Sequence, residues 1–260
     1  MPQPVLILLR QTLMLRSAIA ECLDHAKPKP VHLLRSTTRR IEATLELLAL
    51  CSGIDALKRS TRSLRRSLGK IRRAAGEVRD CDVHRDLLRD YTPARKTAAL
   101  DAELASARHK AADKLRVRLK KDHRKLERAL DDLEIVLKPA LDLNLSGGQL
   151  ADIAQRWFEG KARDLDPGQD DGLHAMRKAC KTARYLAEPG VESAKAAAKT
   201  AARFEASQEA LGAWHDHLLL LDEARASLPK HNKLIDAILA DTDRLRERAD
   251  AMARSLVARS

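Results

Sequence analysis

The sequence predicts an all-α protein, and three observations support this fold class. The composition is dominated by Ala, Leu, Arg, Lys, Glu and Asp, a set that favours helix. Only six aromatic residues occur, and runs of β-branched residues are few. Apolar residues recur at three- and four-residue spacing along most of the chain, which is the pattern of amphipathic helices. With 260 residues, 44% of them hydrophobic, the chain is long enough to bury a substantial core.

The helix predicted over Val31–Leu50 combines an apolar face with a cationic face. Wound at 100° per residue, it places on one apolar stripe Val31, Leu34, Thr38, Ile41, Leu45 and Leu48. A second stripe carries His32, Arg35 and Arg39, with Arg40 about a quarter-turn away. The apolar stripe is expected to pack against the rest of the protein, so the cations on the second stripe are free to bind an anion.

The same pattern returns 142 residues later, in Leu173–Tyr185. The first three cations of the earlier stripe are matched there, in order, by His174, Arg177 and Lys181. Further landmarks keep an offset of 136, namely Gly76 and Gly212, Asp80 and Asp216, and Pro93 and Pro229. Ordered recurrence of this kind predicts an internal repeat. We therefore expect a single domain, 1–260, built from two pseudo-symmetric helical bundles, 1–145 and 146–260.

The remaining helices follow from apolar spacing and from the breakers between them. Gly76 and Gly212 are expected to interrupt helices, and Ser146-Gly147-Gly148 to mark the seam between the halves. The predicted elements are Val5–Asp24, Val31–Leu50, Asp55–Ala75, a short helix ending at Thr92-Pro93, Ala94–Lys138 (split at most once), Gln149–Leu165, the second histidine helix ending at Pro189-Gly190, Glu192–Leu211, a short helix ending at Leu228-Pro229, and a last helix ending near Ala258.

Positive charge is concentrated in the first half of the chain. The net charge is +12, and Met1–Leu145 alone holds 31 Lys and Arg against 19 Asp and Glu. The helix predicted over Asp55–Ala75 is the densest part, with Arg62, Arg66 and Arg73 on the side opposite its apolar stripe. A solvated helix surface would explain such charge, but so would a polyanionic partner.

Neither catalysis nor metal binding has a clear signature. There is no H-E-x-x-H, no G-x-x-x-x-G-K loop and no carboxylate cluster for Mg²⁺. The histidine pair His215 and His217 is spaced i, i+2, which does not share one helix face. Asp80 and Asp216 are expected to cap helix starts or to fix an arginine. The four cysteines lack C-x-x-C spacing, and no signal peptide or membrane span is evident, so we expect a cytoplasmic protein with reduced thiols.

Anion binding fits the residue types best. Arg offers a planar fork to phosphate oxygens and Lys offers a point charge. Cations three to four residues apart on a helix lie about 5–6 Å from one another, close to the charge repeat of a linear polyphosphate. Nucleic acid also has suitable charge, but few aromatic residues are available for base stacking and no helix-turn-helix or zinc-finger signature occurs.

Four motifs in order resemble the CHAD family, whose name stands for conserved histidine α-helical domain. They are His32-x-x-Arg-x-x-x-Arg-Arg, Gly76-Glu-Val-Arg-Asp-Cys-Asp-Val, Leu173-His-x-x-Arg-Lys-x-x-Lys-x-x-Arg-Tyr and Leu211-Gly-x-x-His-Asp. The resemblance covers nearly the whole chain, although Thr182 stands where Arg40 stands in the first half. It implies two helical bundles around a basic central cavity or groove, binding of inorganic polyphosphate, and, in some members, association with polyphosphate granules.

Residues and resemblance together predict a non-catalytic polyphosphate-binding protein without cofactor or metal. Alternatives that stay open are an enzyme or accessory subunit of phosphoanhydride metabolism, and a nucleic-acid-binding protein. The predicted binding residues form a stronger first half, His32, Arg35, Arg39, Arg40, Arg62, Arg66 and Arg73, and a second half, His174, Arg177, Lys178, Lys181 and Arg184.

Overall fold

The protein is all-α, as its sequence predicts. The structure, a computed structural model, describes residues 1–52, 55–91 and 97–258, excluding the side chains of residues 52, 55, 56, 58 and 139. These residues form helices and short connections, and none of them lies in a strand. The α-helices are α1 (Pro4–Asp24), α2 (Pro28–Ser52), α3 (Asp55–Ser60), α4 (Arg62–Leu88), α5 (Ala98–Leu137), α6 (Gly147–Ala162), α7 (Asp170–Ala187), α8 (Lys195–Ser227) and α9 (Lys233–Val257).

Prolines lie in the first turns of α1 and α2. Pro4 begins α1, while Pro28 and Pro30 begin α2, three residues earlier than the predicted start at Val31. Proline is accepted there because the first N–H groups of a helix have no intrahelical acceptor in any case. The two prolines therefore separate α1 from α2, as expected, and also open α2.

Two predicted interruptions, at Gly76 and Gly212, are wrong. The chain breaks instead at Thr61, and α4 then runs from Arg62 to Leu88 through Gly76. In the second half α8 runs through Gly212 without a break. Glycine inside a helix costs only about 1 kcal/mol relative to alanine, so packing on both sides of each glycine can outweigh its propensity. Both glycines are buried.

Helix α5 is a single unbroken element of 40 residues. Leucines at helical spacing bury one side of it, including Leu115, Leu119, Leu126, Leu130 and Leu133. Near its start, the Arg108 guanidinium donates to the Asp82 carboxylate of α4 at 2.5 Å and to the carbonyl of Ala26 at 2.8 Å. This one side chain thereby ties α5 to α4 and to the α1–α2 connection. The predicted start at Ala94 lies outside the described residues.

Each half of the chain has its own apolar cluster, and two further clusters join the halves. The first is built from α1 to α5 and the second from α6 to α9. One joining cluster packs Ala43 and Leu47 of α2 against Tyr185 and Leu186 of α7. The other packs the end of α4 and the start of α5 against α8 and α9. The assignment of 1–145 and 146–260 as repeats stays a prediction. Within the described ranges, no helix is both long and apolar enough to cross a bilayer.

A glycine at the start of α7 is required by a close backbone contact, which gives a first testable prediction. A Cβ on Gly172 would overlap the carbonyl oxygen of Asp166 and come within 2.7 Å of its carbonyl carbon. Because backbone cannot move away cheaply, Gly172→Ala should lower the free energy of unfolding by about 2 kcal/mol or more in denaturant titrations. Gly160→Ala is the matched control, since a Cβ there meets nothing within 4 Å. Gly160→Ala should leave the free energy of unfolding unchanged or raise it slightly. If both variants lowered it equally, the close contact between Gly172 and Asp166 would not be the cause.

Candidate functional site

A cavity of about 520 Å³ lies where α2, α4, α7 and α8 meet. Both cationic helices predicted from the sequence contribute to its wall, together with parts of α4 and α8. Its charged lining residues are His32, Arg35, Arg39, Arg40, Arg79, Asp80, Arg177, Lys181, Arg184, Glu205, Glu209 and Asp216. Seven Lys or Arg therefore face four carboxylates, so the lining is basic without counting the histidine.

Helix α2 presents its cationic stripe to this cavity because its apolar stripe is buried on the other side. Leu34, Ile41 and Leu45 are fully buried in the core of the first half. The helix thereby directs His32, Arg35 and Arg39 into the cavity wall, as the spacing predicts. Gly76 of α4 makes room for one of them, since a Cβ there would lie 3.1 Å from Nη1 of Arg35.

Helix α7 contributes in the same way through Arg177 and Lys181. Its buried stripe includes Leu173, Met176 and Cys180, which pack in the core of the second half. Arg177 and Lys181 line the cavity opposite the α2 cations. The structure thus brings together the two cationic segments that lie 142 residues apart in the sequence.

Four cations of the cavity form no ion pair with a described residue. Among the residues the structure describes, no ion pair involves Arg35, Arg39, Arg177 or Lys181, although neighbouring arginines do form pairs. The Nε groups of Arg39 and Arg177 are buried and donate to no described acceptor. Buried donors without partners are costly, and buried unpaired charges more so. An anion in the cavity would satisfy both.

Two of the predicted binding arginines, Arg40 and Arg184, are already paired. Arg40 donates two hydrogen bonds to the Glu188 carboxylate, at 2.8 and 2.9 Å. Arg184 forms an ion pair with Glu205 at 2.6 Å. Both guanidinium groups also lie near the ring of Tyr185, 5.1 and 4.9 Å from its centroid. These arginines line the edge of the cavity, and their contacts join α2, α7 and α8.

Burial and mutual repulsion lower the pKa values of the unpaired cations. Burial is the main cause for Lys181 and, with repulsion from Arg39, Arg35, Arg177 and Arg184, lowers its pKa to about 7. Burial, together with repulsion from Arg35 and Arg72, lowers the pKa of Arg39 to about 10. The free protein therefore keeps Lys181 partly neutral at physiological pH.

The two predicted histidines occupy different surroundings. His32 lines the cavity, and burial followed by repulsion from Arg79 and Lys181 lowers its pKa. His174 lies beside the cavity, with its ring centroid 4.4 Å from that of His215 on α8. Burial and the cations Lys178 and Arg177 lower the pKa of His174. Burial, followed by repulsion from Arg177, lowers that of His215 to about 3.

The other predicted cations do not join the cavity lining. Arg62, Arg66 and Arg73 are exposed on α4, and Lys178 is exposed on α7. The face of α4 that meets α2 carries different arginines, Arg65 and Arg72, which pair with Glu46 and Glu42. The sequence pattern located the apolar stripe of α4 correctly, but it could not show which of the two remaining sides would face α2.

Several lining residues were missed from the sequence because α4 and α8 were divided at their glycines. As one helix, α4 continues past Gly76 and places Arg79, Asp80 and Val83 in the cavity lining. Asp80 and Asp216 lie inside α4 and α8, so the predicted role as helix caps is wrong. Asp216 instead lies near Arg177. Burial raises the pKa of its carboxyl group, and Arg177 opposes that shift.

A second, smaller cavity of about 250 Å³ adjoins the first at Arg39, Lys181 and Tyr185, which line both. Beyond this junction it adds the cations Arg65 and Lys161 and the carboxylates Glu42 and Glu46, and Arg65 is paired with Glu46. The two cavities together follow the contact between α2 and α7, and the excess of positive charge belongs to the larger one. In the part of the chain that the structure describes, no group of three or more His, Cys, Asp or Glu side chains could hold a metal ion.

The fold and this basic cavity define an all-α domain that gathers cations from α2 and α7 around one cavity. Comparison with known proteins gives the family. The family model for the CHAD domain matches residues 7–225, and the chain belongs to this family.

Solved structures support the fold. The crystal structure of the CHAD domain from the plant Ricinus communis is similar, with a TM-score of 0.68 at 18% identity, over 97% of this chain and 90% of that one. PptA from Streptomyces chartreusis is similar with a TM-score of 0.63 at 17% identity, over 100% of this chain and 99% of that one. A comparison with curated proteins finds no match.

The cation cluster gives a second testable prediction, on the pKa of Lys181 itself. Arg39→Gln removes the largest source of repulsion on Lys181 and should raise that pKa from about 7 towards the ordinary value for lysine. The control is Arg62→Gln, which also removes one positive charge but from the exposed side of α4. It should leave the pKa of Lys181 unchanged. NMR titration of the Lys181 side chain would measure both. An ordinary pKa in the wild-type protein would mean that the cavity is better solvated than its geometry indicates.

Proposed function

We propose that this protein binds inorganic polyphosphate without catalysing its turnover. The observation that carries the proposal is the set of unpaired cations facing one cavity, Arg35 and Arg39 from α2 and Arg177 and Lys181 from α7. Such a set is unfavourable in the free protein, because burial and repulsion both act against it. A multiply charged anion removes both costs at once and supplies acceptors for the free Nε groups.

The shape of the lining favours a linear polyanion over a single phosphate. Arg35 and Arg39 of α2, Arg79 of α4, and Arg177 and Lys181 of α7 all line the larger cavity. A chain of phosphates places a charge at every unit and can contact these positions in succession, whereas a single phosphate can contact only a few. Arg forks bind phosphate oxygens in pairs, and this adds geometric selectivity to the charge.

We also propose that the two halves are pseudo-symmetric repeats around the cavity. Each half contributes two basic residues at equivalent positions, Arg35 and Arg39 in the first and Arg177 and Lys181 in the second. Each half also contributes one aspartate, Asp80 from α4 and Asp216 from α8. Contacts from both halves would make binding depend on their relative position. A cytoplasmic location, with association to polyphosphate granules through the bound polymer, follows from the same proposal.

The alternative functions are tested separately. An enzyme of phosphoanhydride metabolism needs a way to bind the metal that accompanies its substrate, and the described residues offer no carboxylate cluster for one. A phosphate-release assay with long polyphosphate decides this point. Single-stranded DNA competing with polyphosphate at equal charge tests nucleic-acid binding, for which the described residues of the two cavities offer three rings, those of Tyr185, Trp157 and His32.

The third prediction compares cavity cations with exposed cations at equal charge. Arg35→Ala with Arg39→Ala removes two unpaired donors and should weaken polyphosphate binding by at least about a hundredfold, because each charge-assisted contact is worth about 1.5–3 kcal/mol. Arg62→Ala with Arg66→Ala should weaken it only a few-fold, and added salt should cancel that effect. Isothermal titration calorimetry with polyphosphate of defined length measures both. The cavity double variant should remain folded, since it removes repulsion.

Equal losses in the two double variants would show that general surface charge, and not the cavity, binds the polymer. A further comparison, Arg177→Ala with Lys181→Ala, tests the contribution of the second half. Because these residues line the same cavity as Arg35 and Arg39, their loss should also be large.

The fourth prediction concerns pH. A bound polyanion raises the pKa values of Lys181 and His32, which are lowered in the free protein. For each group the gain in affinity is complete below its free pKa and is lost as pH rises towards its bound pKa. Affinity should therefore fall with rising pH in two ranges, one beginning below 6.5 because of His32 and one beginning near 7 because of Lys181.

Variants separate the two ranges. Lys181→Gln should flatten the dependence above pH 7, and His32→Gln should flatten the lower range only. His174→Gln should have a smaller effect, because His174 lies beside the cavity and contacts His215. Affinity measured from pH 5.5 to 9 checks this assignment. A full pH slope in the Lys181 and His32 double variant would show that other groups titrate on binding.

A further inference from the structure

The amine of Lys181 is a nucleophile placed beside a cluster of phosphate-binding groups. Its Nζ lines both cavities and forms no hydrogen bond or ion pair with a described residue. The charged groups lining the same cavity come from every helix that forms it, namely His32, Arg35, Arg39 and Arg40 of α2, Arg79 and Asp80 of α4, Arg177 and Arg184 of α7, and Glu205, Glu209 and Asp216 of α8. Lys181 is the one lysine among the described residues that line this cavity, so it supplies the one side-chain primary amine there.

Its surroundings keep this amine reactive. Burial, followed by repulsion from Arg39, Arg35 and Arg177, lowers the pKa of Lys181 and so favours the neutral amine that attacks a carbonyl carbon. Polyphosphate binding gains nothing from a neutral amine, because only the protonated form attracts the polymer. The geometry therefore suits a second kind of ligand, which brings a phosphate to the arginines and an electrophile to the amine.

We propose that Lys181 is a modification site, acylated by small acyl phosphates whose phosphate group docks on the arginines of the cavity. This inference rests on the anion binding proposed above and extends it to a covalent step. The lysine nitrogen attacks the carbonyl carbon of the mixed anhydride, so that a C–N bond forms and the bond from that carbon to the phosphate oxygen breaks. Inorganic phosphate leaves and takes up the proton that the nitrogen loses. No oxidation or reduction occurs.

The arginines assist this step in two ways. They hold the acyl phosphate next to the amine, which raises its effective concentration, and they stabilise the phosphate as it leaves with increased charge. A cavity of about 520 Å³ accommodates an acyl phosphate as small as acetyl phosphate.

Acylation would change polyphosphate binding. The amide has no positive charge, and it would stand at the junction of the two cavities, where Arg39 and Lys181 line both. The modified protein should bind polyphosphate more weakly, and Lys181→Gln should reproduce the loss. Abundant acyl phosphate would thus decrease binding of the polymer.

The test uses the wild-type protein, acetyl phosphate and quantitative mass spectrometry of each lysine over time at pH 7.5. Lys181 should be acetylated at least tenfold faster than Lys178, one turn earlier on the same helix but exposed, and than Lys199, exposed on α8. Tripolyphosphate should suppress the reaction at Lys181 and leave Lys199 unaffected. Rates at Lys181 no greater than at Lys178 would overturn the proposal.

A second acyl donor separates docking from simple amine reactivity. p-Nitrophenyl acetate carries no phosphate, so its rate at Lys181 reports the amine alone. Arg35→Gln should lower the ratio of the acetyl phosphate rate to the p-nitrophenyl acetate rate at least fivefold. An unchanged ratio would show that the arginines do not dock the donor, and would overturn the inference.

The same preparation is titrated with polyphosphate, so that the two proposals fail separately. Tight polyphosphate binding with Lys181 unacetylated refutes acylation alone. Selective acetylation of Lys181 without polyphosphate binding supports the modification site and refutes the proposed function.

Discussion

Repulsion among cations across one cavity is the constraint around which this structure is arranged. Arg35, Arg39, Arg177 and Lys181 line it without forming an ion pair to a described residue, and burial of their charges is a further cost. Such a cluster persists only when the surrounding helices hold it in place. The apolar stripes of α2 and α7 do this, because each is anchored in the core of its own half.

Carboxylates beside the cavity neutralise some of its arginines. Arg40 with Glu188 and Arg184 with Glu205 form ion pairs on either side of Tyr185, whose ring is only 5% exposed. Asp80 and Asp216 add negative charge from α4 and α8. The lining is thus only partly neutralised, and Arg35, Arg39, Arg177 and Lys181 form no ion pair with a described residue. The ion pairs of Arg40 and Arg184 meanwhile join the helices around the cavity.

The long helices are what allow cations from distant segments to share one cavity. Because α4 and α8 run through Gly76 and Gly212, each extends from its own apolar core to the cavity wall. Gly76 also leaves the space that the Arg35 guanidinium occupies. A break at either glycine would remove Arg79, Asp80 or Asp216 from the lining. Continuity of these helices is therefore a requirement of the site as well as of the fold.

The sequence by itself determined the helical class, the two cationic helices and the side of α2 and α7 that carries the cations. These features are local, since a 3.6-residue period fixes which residues share a face. Tertiary structure decided the rest. It selected Arg65 and Arg72 over Arg62, Arg66 and Arg73 to face α2, paired Arg40 and Arg184, and moved His174 out of the lining towards His215. Each of these outcomes depends on which neighbour a helix face meets, and that is set by packing between segments far apart in the chain.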